Sequence, residues 1–302
     1  MNNMASRSSG DQQESLPAGI PGPLPGRLLG IDAGGSATRV VLITEGKIVR
    51  RLVAPPMNAL LTTDLADRLL ALIAAEGATA AGIGLPGLRS PIVAERLSRE
   101  LAELAGCPVQ VTSDGQAAVL GAFGTAPGIA VFAGTGSGAT GCDGQRWARA
   151  GGHGFLLGDE GSAYWIGRAA ANAALRWEDG MGGSAALHEA VVKTAGTQLA
   201  GLVEGVHSHP AERSRLTMLA PVVTGLAATD AAARQIADQA AVHLAELAQA
   251  VRRALGPLPV CGLGGVLRAP VIWDSFARLT GAVRPLAPPE VGAALLAWRG
   301  HA

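Results

Sequence analysis

The chain lacks an excess of either charge: Lys+Arg and Asp+Glu each number 24. Nucleic acid and anionic membrane surfaces are met by a surplus of Lys and Arg, so this balance argues against both as partners. Cysteine is scarce. Cys107, Cys142 and Cys261 are odd in number, far apart and without Cys-x-x-Cys or metal-ligand spacing, which reads as buried reduced thiols in a cytoplasmic protein. No apolar run approaches the roughly 18 residues of a membrane span. The opening segment 1–26 has Ser, Gln, Gly and four prolines but no apolar stretch behind a basic flank, so it reads as a disordered leader and not a secretory signal.

Two nucleotide-binding motifs are also missing. A P-loop needs GxxxxGK[ST], and no glycine cluster here supplies the lysine. A Rossmann fingerprint needs strand, GxGxxG and then helix, whereas both clusters in this chain lead from one short apolar run into another. What is present is that pattern itself, twice. Leu28–Asp32 is followed by Ala33-Gly34-Gly35-Ser36-Ala37-Thr38 and a second run to Ile43. About a hundred residues on, Ile129–Ala133 is followed by Gly134-Thr135-Gly136-Ser137-Gly138 and a run to Cys142. Each is a β-hairpin whose turn offers backbone N–H groups and hydroxyls in place of bulky side chains, a cradle suited to phosphate.

Around the hairpins the apolar periodicity predicts β-β-β-α-β-α-β-α to Gly124, then a restart with three strands at 129–133, 139–143 and 146–150. A helix at 162–178 and a mainly helical, Ala-rich stretch at 182–255 follow. A strand at 260–263, a helix at about 269–280, a short strand near 283–286 and a last helix at 290–299 complete the order. The repeat predicts two similar α/β domains with a ligand cleft between them. The 302 residues, 48% hydrophobic with 42 glycines, are enough for both.

Several polar residues stand out against this frame. Asp32 ends a strand beside the first turn, where a carboxylate would hold Mg²⁺ through water; Gly34, Gly35, Ser36 and Thr38 would present N–H and OH groups to phosphate. Asp114 follows the run Pro108–Val111 and precedes a helix. It reads as an ordinary N-cap and, facing the cleft, as a base for an attacking hydroxyl; both can hold at once. The segment from Gly151 to Trp165 surrounds His153 and the Asp159-Glu160 pair with five glycines, which suggests a loop wrapped around a small polar ligand. Cys261-Gly262-Leu263-Gly264-Gly265 ends a strand and suits an adenosine or phosphate passing close to backbone. His243, on the apolar stripe of the helix 230–253, reads as a core histidine.

Taken together, the Asp32 hairpin, Ser113-Asp114-Gly115, the AGTGSG turn at 133–138, GDEGSAYWIG at 158–167 and GLGG at 262–265 resemble the N-acetylglucosamine kinase and BadF/BadG/BcrA/BcrD ATPase group of the actin/sugar-kinase/Hsp70 superfamily. The resemblance runs from Leu28 to Trp298. It implies a duplicated ribonuclease-H-like α/β fold, with an N-terminal subdomain at 27–121, a C-terminal one at 122–287, and a final helix at 288–302 crossing back onto the first. It further implies ATP- and Mg²⁺-dependent phosphorylation of the 6-hydroxyl of N-acetylglucosamine or glucosamine, with Asp114 as base. Asn58, Gly152 and Asp159 fall at the amino-sugar site, Gly134, Thr135, Gly136 and Ser137 at the second phosphate loop, and Gly262, Gly264 and Gly265 at adenosine. His153 and Phe155 stand where residues vary among amino-sugar kinases, leaving the acyl preference open. Two alternatives stand beside this reading: an ATPase that activates a partner enzyme, whose paired glycine-flanked cysteines are not seen here, and a sugar-sensing homologue without catalysis. The helices at 182–255 are either a homodimer interface or ordinary core.

Overall fold

Turn residues cut the apolar runs of the first third into regular elements. The computed structural model describes residues 14–20, 24, 26–34, 37–88, 90–208 and 210–299. They fall into two units, one of residues 1–128, 141–145 and 284–302, the other of 129–140 and 146–283.

The first unit begins with β1 (Glu14–Ser15), β2 (Arg27–Asp32), β3 (Thr38–Thr44), β4 (Lys47–Ala54), α1 (Leu65–Ala75), β5 (Ala80–Leu85), α2 (Pro91–Ala105), β6 (Val109–Ser113) and α3 (Asp114–Phe123). The sheet order is β1-β4-β3-β2-β5-β6. β1 to β2 are antiparallel neighbours through β4 and β3, while β2, β5 and β6 run parallel. Helix ends follow local chemistry. Ser90 caps α2 with Pro91 in its first turn, and Gly106 ends it at φ 66°, where a residue without Cβ is least strained.

Part of the segment expected as a disordered leader is built into this sheet. Glu14 and Ser15 pair with Ile48 and Lys47, and Leu24 is fully buried in the cluster of Leu28, Val41 and Ile43, with Leu16 and Ile20 packed against it. These apolar side chains cover sheet surface that would otherwise face water. Residues 1–13, 21–23 and 25 lie outside the described residues.

The second unit carries β7 (Gly128–Ala133), β8 (Ser137–Cys142), β9 (Trp147–Gly151), α4 (Ala163–Glu178), α5 (Ala185–Ala195), α6 (Leu199–Ser208), a 3₁₀ stretch at Pro210–Leu219, α7 (Ala220–Leu226), α8 (Ala231–Leu255), β10 (Val260–Leu263) and α9 (Pro270–Thr280). Its sheet order is β10-β7-β8-β9, with β10 parallel to β7. The expected strand near 283–286 reduces to one bridge, Val283 to Cys261. The Ala-rich stretch is helical, and Ile236, Ala240, Leu244 and Val251 of α8 are buried with Ile166, Leu187 and Val223 in one apolar cluster. His243 is only half-buried. Its Nδ1 lies 3.2 Å from Glu246 and its ring meets Trp165 edge-on, so the expected core histidine sits at the rim. No single described helix is long and apolar enough to cross a membrane.

The chain then returns to the first unit as α10 (Pro289–Arg299). Gly30 and Gly82 are register partners on β2 and β5. A Cβ on Gly30 would come 2.7 Å from the Ala294 nitrogen, and one on Gly82 3.1 Å from that of Ala297. The two glycines let α10 lie directly on the parallel strands.

Candidate active site

The parallel strands β2, β5 and β6 end at one edge of the first sheet. Asp32 pairs with Gly84, and Gly84 and Leu85 pair with Thr112 and Ser113, so Asp32 and Asp114 stand on that edge with only β5 between them. The carboxyl ends of parallel strands are where open α/β sheets bind ligands. Helix capping at α3 falls to Ser113, whose Oγ accepts from Gln116 N–H at 3.2 Å within a capping box. Asp114 is therefore the first helical residue and not the N-cap. Its half-buried carboxylate accepts from its neighbour Gly115 N–H at 2.8 Å.

Asp32 is electrostatically uncomfortable. Burial, then Glu290, then Asp114 push its pKa up to about 7, and Arg39 opposes them. Glu290 is a participant that the sequence did not single out. A Glu after Pro288-Pro289 in a helix's first turn reads as a mere dipole device. Here one of its oxygens meets Arg51 at 3.2 Å while the other is buried without a hydrogen-bond partner. The buried Asp32 carboxyl and the orphaned Glu290 oxygen fit Mg²⁺, which keeps several waters and takes one or two carboxylates plus substrate phosphates. Among the described residues no three His, Cys, Asp or Glu side chains converge to enclose a metal.

The first turn is described only in part: Gly35 and Ser36 lie outside the described residues. A Cβ on Gly34 would come 2.7 Å from the Ala37 carbonyl oxygen, so the tight turn requires glycine there. Thr38 corrects an expectation. It is fully buried, and its hydroxyl donates to the Pro55 carbonyl at 2.9 Å. That hydroxyl ties the β3 start to the end of β4 and is not offered to phosphate. Asn58 accepts from Leu60 N–H at 2.8 Å through Oδ1, and its N–H donates to Thr62 Oγ1. The turn 58–62 thereby orients the side chain beside Gly87, whose missing Cβ would come 2.9 Å from that Oδ1.

In the second unit the AGTGSG turn and the Gly151–Trp165 loop form one structure. Ala163 N–H donates to Gly134 O at 2.8 Å, Tyr164 N–H to Thr135 O at 3.4 Å, and Gly152 N–H to Ser137 O at 2.9 Å. Ser137 Oγ donates to Glu160 O at 2.7 Å, and Ser137 N–H to Asp159 Oδ1 at 3.3 Å. Burial raises the Asp159 pKa, with backbone N–H bonds from Ser137 and Gly154 opposing it. Asp159 has φ 61°, a left-handed conformation that Asp tolerates better than most residues. The GLGG segment sits close by: at Gly264, φ 97°, a Cβ would come 2.7 Å from the Ala133 carbonyl carbon. Gly262 faces Trp273 and Phe276, while Gly265 opens into free space. The AGTGSG turn, Gly152, Asp159 and Gly264 are thus brought together. The sequence spacing held no sign of the bond between Asp159 and the turn.

Comparison with known proteins adds to this geometry. The chain is 32% identical over 171 residues to an N-acetylmuramic acid/N-acetylglucosamine kinase of Clostridium acetobutylicum, a match spanning 51% of this chain and 55% of that one. A structure from Chromobacterium violaceum described as an N-acetylglucosamine kinase is 28% identical, covers 91% of this chain and 99% of its own, and superposes with TM-score 0.68. At 21% identity, one of the same description from Porphyromonas gingivalis covers 91% and 100% with TM-score 0.74. A glucokinase of the ROK family from Streptomyces griseus shares the fold, with TM-score 0.58 and 17% identity over 90% of this chain and 98% of its own. The family model described as the BadF/BadG/BcrA/BcrD ATPase family matches residues 29–297, and with nine-tenths of its length inside that match the chain belongs to this family.

Proposed function

We propose that the protein is an ATP- and Mg²⁺-dependent kinase that phosphorylates the 6-hydroxyl of an amino sugar, N-acetylglucosamine or glucosamine. The observation that carries this reading is the strand-end pair Asp32 and Asp114, the second relieved of capping by Ser113. Its acceptor comes from likeness to the kinases of Clostridium and Chromobacterium. The matching strand orders β4-β3-β2-β5 and β9-β8-β7-β10 support a duplicated architecture, with one hairpin turn in each copy.

In this reading Asp114 orients the sugar hydroxyl and takes its proton as the oxygen attacks the γ-phosphorus. The new P–O bond forms as the bond to the β-phosphate oxygen breaks, and ADP leaves with the electron pair. Bound Mg²⁺ would neutralise phosphate charge that develops in the transfer. Asp32 would hold that ion through water, and the turn at 134–137 would donate N–H groups to phosphate. Likeness to amino-sugar kinases would give Asn58, Gly152 and Asp159 to the sugar, and Gly262, Gly264 and Gly265 to adenosine.

Family membership gives a second reading, an ATPase that activates a partner enzyme. A coupled ADP-release assay over a panel of sugars separates the two. Release stimulated by an amino sugar and abolished by Asp114→Ala supports the kinase. Release indifferent to every sugar, in a protein with an iron–sulfur absorbance band, supports the activator.

A further inference from the structure

The residue that likeness to amino-sugar kinases assigns to the acceptor also reaches the phosphate turn. We infer that Asp159 is a positioning residue for the nucleotide: its carboxylate holds the turn Gly134–Ser137 in the shape that receives phosphate. This rests on the kinase reading of that turn and gives the loop a second task.

Two of the four N–H groups of the turn are already committed. Gly134 N–H donates to Gly136 O at 2.9 Å, closing the turn on itself. Ser137 N–H donates to Asp159 Oδ1. The carboxylate also fills the space beside Gly136, where a Cβ would come 2.7 Å from Oδ2 and 3.0 Å from Cγ. Gly136 has no positive φ, so backbone conformation does not explain glycine there; the packed carboxylate does. Asp159 is itself held from three sides. Its carboxylate accepts from the Gly154 backbone, its carbonyl accepts from Ser162 N–H at 3.1 Å, and its neighbour's carbonyl, that of Glu160, accepts from Ser137 Oγ. A movement of the acceptor loop at 152–161 must therefore move Ser137 and Gly136. Sugar in that loop and phosphate on that turn become linked through one side chain, and such a link is reciprocal in binding free energy.

The test measures binding of a non-hydrolysable ATP analogue with Mg²⁺ by calorimetry, without sugar, in wild type, Asp159→Ala and Asp159→Asn. Far-UV circular dichroism checks the fold. A hydrogen bond to a charged acceptor predicts about tenfold or greater weakening in Asp159→Ala and recovery of most of it in Asp159→Asn, whose amide oxygen still accepts. Unchanged analogue affinity in a folded Asp159→Ala would overturn the inference. If wild type binds no analogue, it is the kinase reading that fails. Should Asp159→Ala not fold, Gly136→Ala presses on the same carboxylate from the other side. Its effect on analogue affinity should shrink in the Asp159→Gly background, which suits φ 61° and leaves no carboxylate for the new Cβ to meet. Effects that multiply to within about twofold would count against the coupling.

Discussion

The two glycine-rich hairpin turns look alike in sequence and are held by different means. The turn after β2 adjoins a carboxylate at odds with its surroundings: Asp32, buried beside Glu290 and Asp114, is driven toward the neutral form. The turn after β7 is stitched to its neighbours by backbone bonds from Ala163, Tyr164 and Gly152, and the acid beside it, Asp159, takes N–H bonds that offset part of its burial. In the proposed kinase the first turn's side would meet a cation arriving with the nucleotide, and the second an anion met by N–H groups. The lesson is that a shared motif fixes the backbone path, while the residues packed around it set the charge beside it.

The sharpest way to break that comparison is to remove the residue proposed as the base on the charged side. Asp114→Ala should lower kcat by about 10²- to 10⁴-fold, the range for a positioned base, while analogue affinity stays within about twofold of wild type. A steady-state ADP-release assay with parallel calorimetry reads both. Full activity in the variant would remove Asp114 from the proton transfer and leave Asp32 as a carboxylate without a partner in the reaction.

Asp32→Asn tests the charge itself, with stability as well as rate. The folded-state pKa of about 7 lies above the ordinary 3.8, so the native state prefers the protonated carboxyl. Its contribution to stability is complete below about pH 3.8 and is lost as pH rises through about 7. Asparagine mimics the neutral form at every pH. The variant should therefore melt like wild type in acid and higher than wild type above pH 7, by up to about 4 kcal/mol. Mg²⁺ with an ATP analogue should close that gap by stabilising the wild-type carboxylate, and kcat should fall about a hundredfold or more in the variant. A melting difference independent of pH would mean that Asp32 is comfortably ionised, and the contrast between the turns would go.

Much of this arrangement was legible before any coordinates. The order β-β-β-α-β-α-β-α was readable because short apolar runs were cut by Pro86-Gly87, Gly106 and Gly124, and because α1 and α2 carry one apolar stripe each. Asp64 stands at the start of α1, where its side chain makes no cap bond and faces Arg68 at 4.0 Å. What stayed hidden depends on partners distant in sequence. Arg51 and Asp32 meet Glu290 only because α10 lies on β2. Asp159 reaches Gly136 only because the loop folds back on the turn. Leu24 reads as part of a polar, Pro-rich leader until the sheet face it covers is known. Local pattern specifies elements; the charge at a site is set by what tertiary packing brings to it.

Asn58→Ala probes the sugar side of the first unit with a smaller effect. The loop 58–62 keeps its Leu60 contact through the Asn58 oxygen, so truncation removes both that bond and any sugar contact. The expected outcome is a sugar KM raised about tenfold, the worth of roughly one hydrogen bond, with kcat within about threefold. Asn58→Asp keeps the acceptor for Leu60 and loses the NH₂ donor. Equal KM values for Asn58→Asp and wild type would place the amide outside the sugar site.

The smallest effect is expected at Thr38, and it separates a turn's frame from its ligand groups. The hydroxyl is buried and bonded to the Pro55 carbonyl, so Thr38→Val preserves shape and leaves that carbonyl unpaired. The cost should be about 1–2 kcal/mol, a melting shift of a few degrees for a protein of this size, with analogue affinity unchanged. Thr38→Ser keeps an oxygen at the same place and should recover most of the loss. If Thr38→Val instead weakened the ATP analogue tenfold at an unchanged melting temperature, the hydroxyl would be turning to phosphate when nucleotide binds. The first turn would then resemble the second, offering a neutral donor next to its charged neighbour.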